Sequence, residues 1–435
     1  MTTAVDAALE RLPRQLSLLG LWLLVINGMI GAAIFGVPAE VARLAGAFSP
    51  WVFIICAALI APIALCFAQL ATYFRGTGGP VLYAASAFGP MIGFQAGWAL
   101  YVGRLTAFAA NLNLIVSSLG YFWSGASSAA WRIALMFLIC ASLTFVNVLG
   151  ARDAMRSLGT LTVLKLMALL TLLSAGVPHL HLSTLLLKSA DIPTTSDLGS
   201  AIFLAIYAYT GFESGSVVAG EAREPQRDLP RALLLALVVC SLVYALIQAV
   251  AVTALPSVAA SSRPLLDVAA VLMGPLGGLL MAAGLVASIG GNLFASMFSV
   301  PRITYRLAVD GRLPRCFGAV HSRYQTPVWS IVIFGVLCFL LAASGSFRWL
   351  AGLSVLTRMP VYLFCIGAIP TLRKRFGTPS GAVRMSINNV VIALGALVCV
   401  GLMTQVTGMA YLMGAALLGV GTVLYIAAHA TSRKR

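Results

Sequence analysis

Apolar residues run through this chain in long stretches separated by short polar connections. Twelve stretches are long enough to cross roughly 30 Å of hydrocarbon: 16–43, 50–73, 88–122, 130–149, 156–177, 198–220, 230–254, 272–309, 327–343, 349–371, 386–404 and 408–429. The pattern predicts an all-α polytopic membrane protein of twelve transmembrane helices. A short tail at 1–15 and a basic tail at 430–435 flank one membrane domain at 16–429.

Two stretches differ from the rest. The first contains Ile26 to Pro38, reading I-N-G-M-I-G-A-A-I-F-G-V-P, with Gly28, Gly31 and Gly36 ahead of the proline. Glycine weakens a helix by up to about 1 kcal/mol relative to alanine. In lipid, a broken helix is tolerated only where it lines a cavity or is covered by protein. The sixth stretch carries a similar interruption from Tyr207 to Gly215, with Glu213 in its middle. Glycine-interrupted spans at corresponding positions of two halves point to an inverted-repeat transporter. That arrangement is a 5+5 repeat, 16–177 against 198–371, followed by two C-terminal helices at 386–429. The halves share no evident side-chain similarity, so the repeat rests on position alone. The simpler reading is that these glycines serve close helix packing.

A break suits particular chemistry. The half-helix that follows it offers free N–H groups and a partial positive charge to a carboxylate, and the carbonyls of the half-helix before it suit an ammonium. Ala32, Ala33 and Ile34 are the expected donors. Met29 and the backbone of Tyr207, Ala208 and Thr210 are the expected acceptors, with Ile30, Gly31 and Gly211 at the breaks themselves. Such a site complements a zwitterion.

Composition agrees with the pattern: 60% of the 435 residues are hydrophobic and 9% charged, far below the charge of soluble domains. The net charge of +16 lies mainly in short loops, which favours a topology signal over nucleic-acid binding. Of 28 Lys and Arg, 20 fall in segments on the side of the N-terminus, 5 on the other side and 3 within spans. This asymmetry predicts that both termini are cytoplasmic. The first apolar run is too long for a signal-peptide core and is expected to be a retained span. The eight cysteines and four histidines show no ligand spacing, so no metal or cofactor is called for.

Four stretches, in order, carry a family resemblance: Gly28 to Pro38; T-G-G-P-V-L-Y-A-A-S-A-F-G from Thr77 to Gly89; Y-T-G-F-E-S with A-G-E-A-R-E-P-Q-R-D-L-P-R-A from Ala219 to Ala232; and P-R-I-T-Y-R-L-A-V-D-G-R-L-P from Pro301 to Pro314. Together they resemble the amino acid/polyamine/organocation superfamily of permeases across nearly the whole chain. The resemblance implies a five-plus-five inverted repeat with two further helices, moving amino acids or related amines by alternating access. It places the substrate carboxylate on the first span, the amine on carbonyls of the sixth, and Tyr207 where an aromatic closes over substrate. The chain departs from the family pattern at Ala33, where a glycine is usual, and at Val81, in place of a tyrosine. The Ala33 methyl crowds an approaching carboxylate and disfavours positive φ, which implies a small or differently posed substrate.

Charges inside spans are costly and need a partner or water. Lys165 matches the fifth-span lysine of sodium-independent family members. By that resemblance it contacts carbonyls of the broken first span and polar groups of the eighth, with Ser296 and Ser299 as candidates. The alternative is a lysine snorkelling to an interface. Glu213 reads either as a proton-coupling carboxylate or as an acceptor for unwound backbone. Arg104 and Arg358 either face the cavity, biasing it towards acidic or neutral substrates, or serve carbonyls at helix ends; the second reading is favoured for Arg358, next to Pro360. Glu221, Arg223, Glu224, Arg227, Asp228 and Arg231 are expected to form a cytoplasmic loop tied by ion pairs.

The expected function is sodium-independent secondary transport of small or neutral amino acids, by exchange or with protons, in a bacterial inner membrane. The partners are the substrate and the bilayer, with no nucleic acid. Alternatives are a non-transporting sensor on the same fold and a carrier of organic amines. An intramembrane enzyme lacks a catalytic set, and a channel lacks repeated polar rings. Replacing Ala33 with Gly is expected to widen the range of competing substrates. An unaltered competition profile in uptake assays would show that the Ala33 methyl does not limit the site.

Overall fold

The computed structural model describes residues 16–74, 78–120, 123, 125, 128–150, 158–180, 192–217, 222–377, 388–405 and 408–432. The N-terminal tail, Glu221 and residues 433–435 lie outside them. Among the described residues the chain is helical, apart from turns and one isolated bridge. The first stretch is two helices, α1 (Leu18–Met29) and α2 (Ala33–Ala45), followed by α3 (Ser49–Tyr73). A short α4 (Pro80–Phe88) leads into α5 (Pro90–Leu119), then α6 (Ala129–Val148) and α7 (Leu158–Gly176). The sixth stretch is likewise divided, into α8 (Thr195–Tyr209) and α9 (Ser214–Val217). Next come α10 (Pro225–Ala254), α11 (Pro264–Ser299), α12 (Pro301–Val309), α13 (Val328–Ser344) and α14 (Phe347–Phe376). The chain ends with α15 (Asn389–Met403) and α16 (Gly408–Ser432).

Every apolar run therefore contains helix, and eight helical segments are long and apolar enough to cross a membrane. Three shorter apolar helices are α1, α13 and α15. The eighth run begins earlier than its hydropathy suggests. Gly274, at φ +71°, kinks α11, so Pro264–Met273 forms a separate limb ahead of the long helix.

The packing explains which helices are central. The apolar window of α5 is 89% buried and that of α14 78%, against 11% for α6 and 17% for α16, so α5 and α14 hold the middle. Helix α3 packs along α10, α5 along α14, α7 along α11 and α6 along α13. Helix α2 packs on α8, and α1 on α9. Thus the half before one break lies against the half after the other, as antiparallel neighbours must. Numbered by apolar run, these pairs are 2 with 7, 3 with 10, 5 with 8, 4 with 9 and 1 with 6. Shifting every number by five returns the same set.

One end of the two broken helices is tied by backbone. Leu16 bridges Ala222, with the Arg223 N–H donating to the Leu16 carbonyl at 3.0 Å. The Gly78 N–H donates to the Val217 carbonyl at 3.1 Å.

The breaks themselves meet main chain to main chain. A Cβ on Gly28 would stand 2.6 Å from the Gly211 carbonyl oxygen, and one on Gly211 2.3 Å from that of Gly28. Gly211 also adopts φ +105°, whereas no residue from Met29 to Ala33 has positive φ. Close packing and interruption are therefore one device here, not competing readings of the glycines. Replacing Gly211 with Ala is expected to cost more than replacing Gly28, because overpacking of about 1–3 kcal/mol is joined by left-handed strain of about 1 kcal/mol or more. Thermal unfolding of the purified variants checks the order; an unshifted midpoint for Gly211→Ala would contradict the contact.

Candidate functional site

Helix α1 stops because Ile30 leaves helical geometry, at φ −77° and ψ 79°. Its last carbonyls then lack intrahelical donors. Lys165 of α7 supplies them: Nζ donates to Ile30 O at 2.5 Å, to Asn27 Oδ1 at 2.5 Å and to Asn27 O at 3.4 Å. Thr162, one turn earlier, donates to the same Asn27 side chain at 3.2 Å. Ser288 of α11 donates to Gly31 O at 3.1 Å. With 1% of its surface exposed, Lys165 does not snorkel; its charge faces the negative end of a helix dipole. On the other side of the break, α2 begins at Ala33 with no side-chain cap, so its first N–H groups are free for a ligand.

In the sixth stretch, Thr210 is extended and Gly211 left-handed, which turns the chain so that Glu213 folds back over the break. Its Oε2 accepts from the Gly211 N–H at 2.9 Å and from the Tyr362 hydroxyl at 3.1 Å. Its Oε1 faces Arg358 Nε at 3.2 Å and Arg104 Nη2 at 3.4 Å. Arg104 Nη2 also donates to Ser214 Oγ at 2.5 Å, while Arg358 Nη1 donates to the carbonyl and hydroxyl of Ser354. Removing one partner from a buried ion pair costs about 3–5 kcal/mol, so this cluster locks α9, α5 and α14 together.

Between the breaks lies a cavity of about 30 Å³, near one water molecule's share of liquid volume. Met29, Gly31, Ala32, Ala33, Tyr207, Thr210 and Gly211 line it, as do Arg104 and Arg358. Both arginines therefore face the cavity, as the first reading has it, and pair with Glu213 rather than with a carbonyl at a helix end; the carbonyl that Arg358 reaches, Ser354 O, lies one turn earlier within α14. Asn111 and Asn292 complete the wall. The Tyr207 hydroxyl donates to Asn111 Oδ1 at 2.9 Å, and Asn111 Nδ2 donates to Asn292 Oδ1 at 2.9 Å.

Comparison with known proteins now bears on this geometry. The amino acid permease family profile matches residues 16–426. The chain belongs to the amino acid permease family. An uncharacterized transporter of Mycobacterium tuberculosis is 29% identical over 391 residues, covering 83% of this chain and 81% of the relative. The serine/threonine exchanger SteT of Bacillus subtilis is 26% identical, covering 84% of each chain. Cationic amino acid transporter 4 of Mus musculus is 26% identical, covering 85% of this chain and 61% of its own length. The superfamily resemblance read from four motifs thus holds, and the family and its transporter relatives point to a membrane transporter rather than an enzyme.

Against this family background, the structure brings together most of the residues singled out from sequence and turns a few away. The Ile30 carbonyl is directed to Lys165 rather than to the cavity, and three expected acceptor carbonyls are claimed: that of Ala208 by the Tyr244 hydroxyl at 3.0 Å, that of Tyr207 by the Thr210 hydroxyl at 2.8 Å and that of Met29 by the Gly31 N–H at 2.9 Å. Ile30, Ala208 and Ile34 do not line the space. Ser296 and Ser299 do not reach Lys165. Ser299 donates to Ala295 O at 2.8 Å on an exposed face, and Ser288, about two turns nearer the break, makes the contact to the first span instead. Sequence reasoning also missed Asn27, Asn111, Asn292 and Tyr362. Polar amides in apolar runs were a usable signal for the first three. Tyr362 gave none, since a tyrosine in a span is ordinary. Truncating Lys165 leaves buried carbonyls unpaired, at about 1–3 kcal/mol each. We expect Lys165→Ala to reduce transport at least tenfold with membrane insertion retained; unchanged kinetics in vesicles would remove the role assigned to this amine.

Proposed function

We propose that this permease carries small α-amino acids across the bacterial inner membrane by alternating access, without sodium. The observation that carries this reading is the meeting of two opposed helix ends at one small cavity: the uncapped start of α2 for a carboxylate, and Thr210 at the end of α8 for an ammonium. In this reading the chain crosses the membrane twelve times with both termini cytoplasmic. The charge asymmetry of its loops and the packing that repeats under a shift of five runs support it. A serine/threonine exchanger among the relatives is consistent with a small substrate.

Lys165 supports sodium independence, because its ammonium occupies the oxygens of Asn27 and Ile30 where a cation would otherwise be needed. Glu213 supports exchange over proton symport. Both its oxygens are committed, to two arginines, a tyrosine and a backbone N–H, so protonating it would dismantle the sixth-span break. The cavity is smaller than an amino acid, so loading requires α1, α2, α8 and α9 to move relative to α5 and α11.

The test is counterflow in proteoliposomes. Internal amino acid is expected to accelerate uptake of a labelled one, with no effect of replacing sodium by potassium. Absence of uptake and exchange across a broad panel, with ligand-dependent thermal stabilisation retained, would instead identify a sensor.

A further inference from the structure

We infer that the substrate is an acidic amino acid, whose side-chain carboxylate is bound by Arg104 beside the two breaks; this rests on the amino-acid-carrier reading above. The first ground is charge. Among the described residues, Glu213 is the one acid at the breaks, and it faces two guanidinium groups. The cluster therefore carries one positive charge more than it balances. Lys165, 1% exposed behind α1 and bonded only to neutral oxygens, adds another. The free start of α2 contributes partial positive charge at the same place. A zwitterion leaves this excess unbalanced in a water-poor interior, where uncompensated charge is strongly unfavourable. A substrate with one further negative charge removes half of it, and a cationic one worsens it.

The second ground is the inventory of hydrogen-bonding atoms, which is independent of formal charge. The carboxylate and amide side-chain oxygens around the cavity are already occupied: both of Glu213, Oδ1 of Asn111 and Oδ1 of Asn292. Beside the Thr210 main chain that takes the ammonium, the side-chain atoms left over on Arg104, Arg358 and Asn292 are donors. Arg104 uses Nη2 alone, on Glu213 and Ser214, which leaves Nε and Nη1. Arg358 uses Nε and Nη1, which leaves Nη2, and Asn292 has a free Nδ2. A wall of unspent N–H groups matches a ligand rich in acceptors. Arg104 is the better placed of the two arginines, since 17% of its side chain is exposed against 2% for Arg358, and a guanidinium takes a carboxylate through paired N–H groups. The expectation of a neutral substrate is thereby replaced by a charged one, while the restriction on size drawn from Ala33 remains.

The full-length protein in proteoliposomes tests this, with aspartate, glutamate, alanine, serine and arginine as probes. The expected result is kcat/KM at least tenfold higher for aspartate or glutamate than for alanine or serine, with no uptake of arginine. Arg104→Gln is expected to shrink that ratio at least tenfold, and Arg104→Lys to keep most of it. Should Arg104→Gln fail to fold, competition by the five unlabelled amino acids on the unmodified protein still decides the order. Equal or better transport of alanine or serine overturns the acidic assignment and leaves the amino-acid carrier standing. So does neutral uptake that requires chloride, which would identify an inorganic ion as the balancing charge. Transport of no amino acid at all overturns both.

Discussion

Two helices interrupted inside an apolar protein expose main-chain groups that water does not reach, and everything at the centre of this molecule follows from how those groups are satisfied. In the first span the problem is unpaired carbonyls, and a cation, Lys165, meets Asn27 and Ile30. In the sixth it is an unpaired N–H at Gly211, and an anion, Glu213, meets it. The choice of sign follows from the group to be satisfied, a cation for carbonyl oxygens and an anion for an N–H. Each charge then needs its own environment. Lys165 is surrounded by neutral oxygens, whereas Glu213 recruits Arg104 and Arg358 from helices that hold the middle of the fold. The electrostatics of the cavity are thus a by-product of repairing two breaks.

Much of this was legible from the chain. Both interruptions showed as glycine clusters in long apolar runs, and Lys165 stood out because a lysine in the middle of a span must have a reason. The family was legible from four short motifs. The rest depended on relations between distant residues. Glu213 and Arg358 are 145 positions apart, and nothing local tells whether an arginine in a span reaches a carbonyl, a cavity or an acid. Each of these two arginines in fact does more than one of these things. Ser288 was overlooked in favour of Ser296 and Ser299 because helical phase fixes which face a serine occupies, but the depth of α11 relative to α1 is set by tertiary packing. Ala208 and Ile30 were misjudged for a related reason. A carbonyl at a break is free only if no neighbouring side chain claims it, and Tyr244 and Lys165 do.

In the proposed function, Ala33 and the arginines act on different parts of a ligand. The alanine methyl sits at the start of α2, where a main-chain carboxylate would approach, and would limit space. The guanidinium groups come from α5 and α14 and would decide charge. On that proposal size and charge selection are carried by separate helices, and a change in one need not disturb the other.

The contact between Gly28 and Gly211 has a consequence for how such a protein diversifies. A junction made from backbone offers no side chain to exchange, so its floor is effectively invariant and its two halves can drift only together. On the proposed function, new cargo preferences would then arise in the surrounding walls, at cavity-lining positions such as Arg104, Asn111, Asn292 and Arg358. A relative that kept this junction could for this reason differ widely in what it carries.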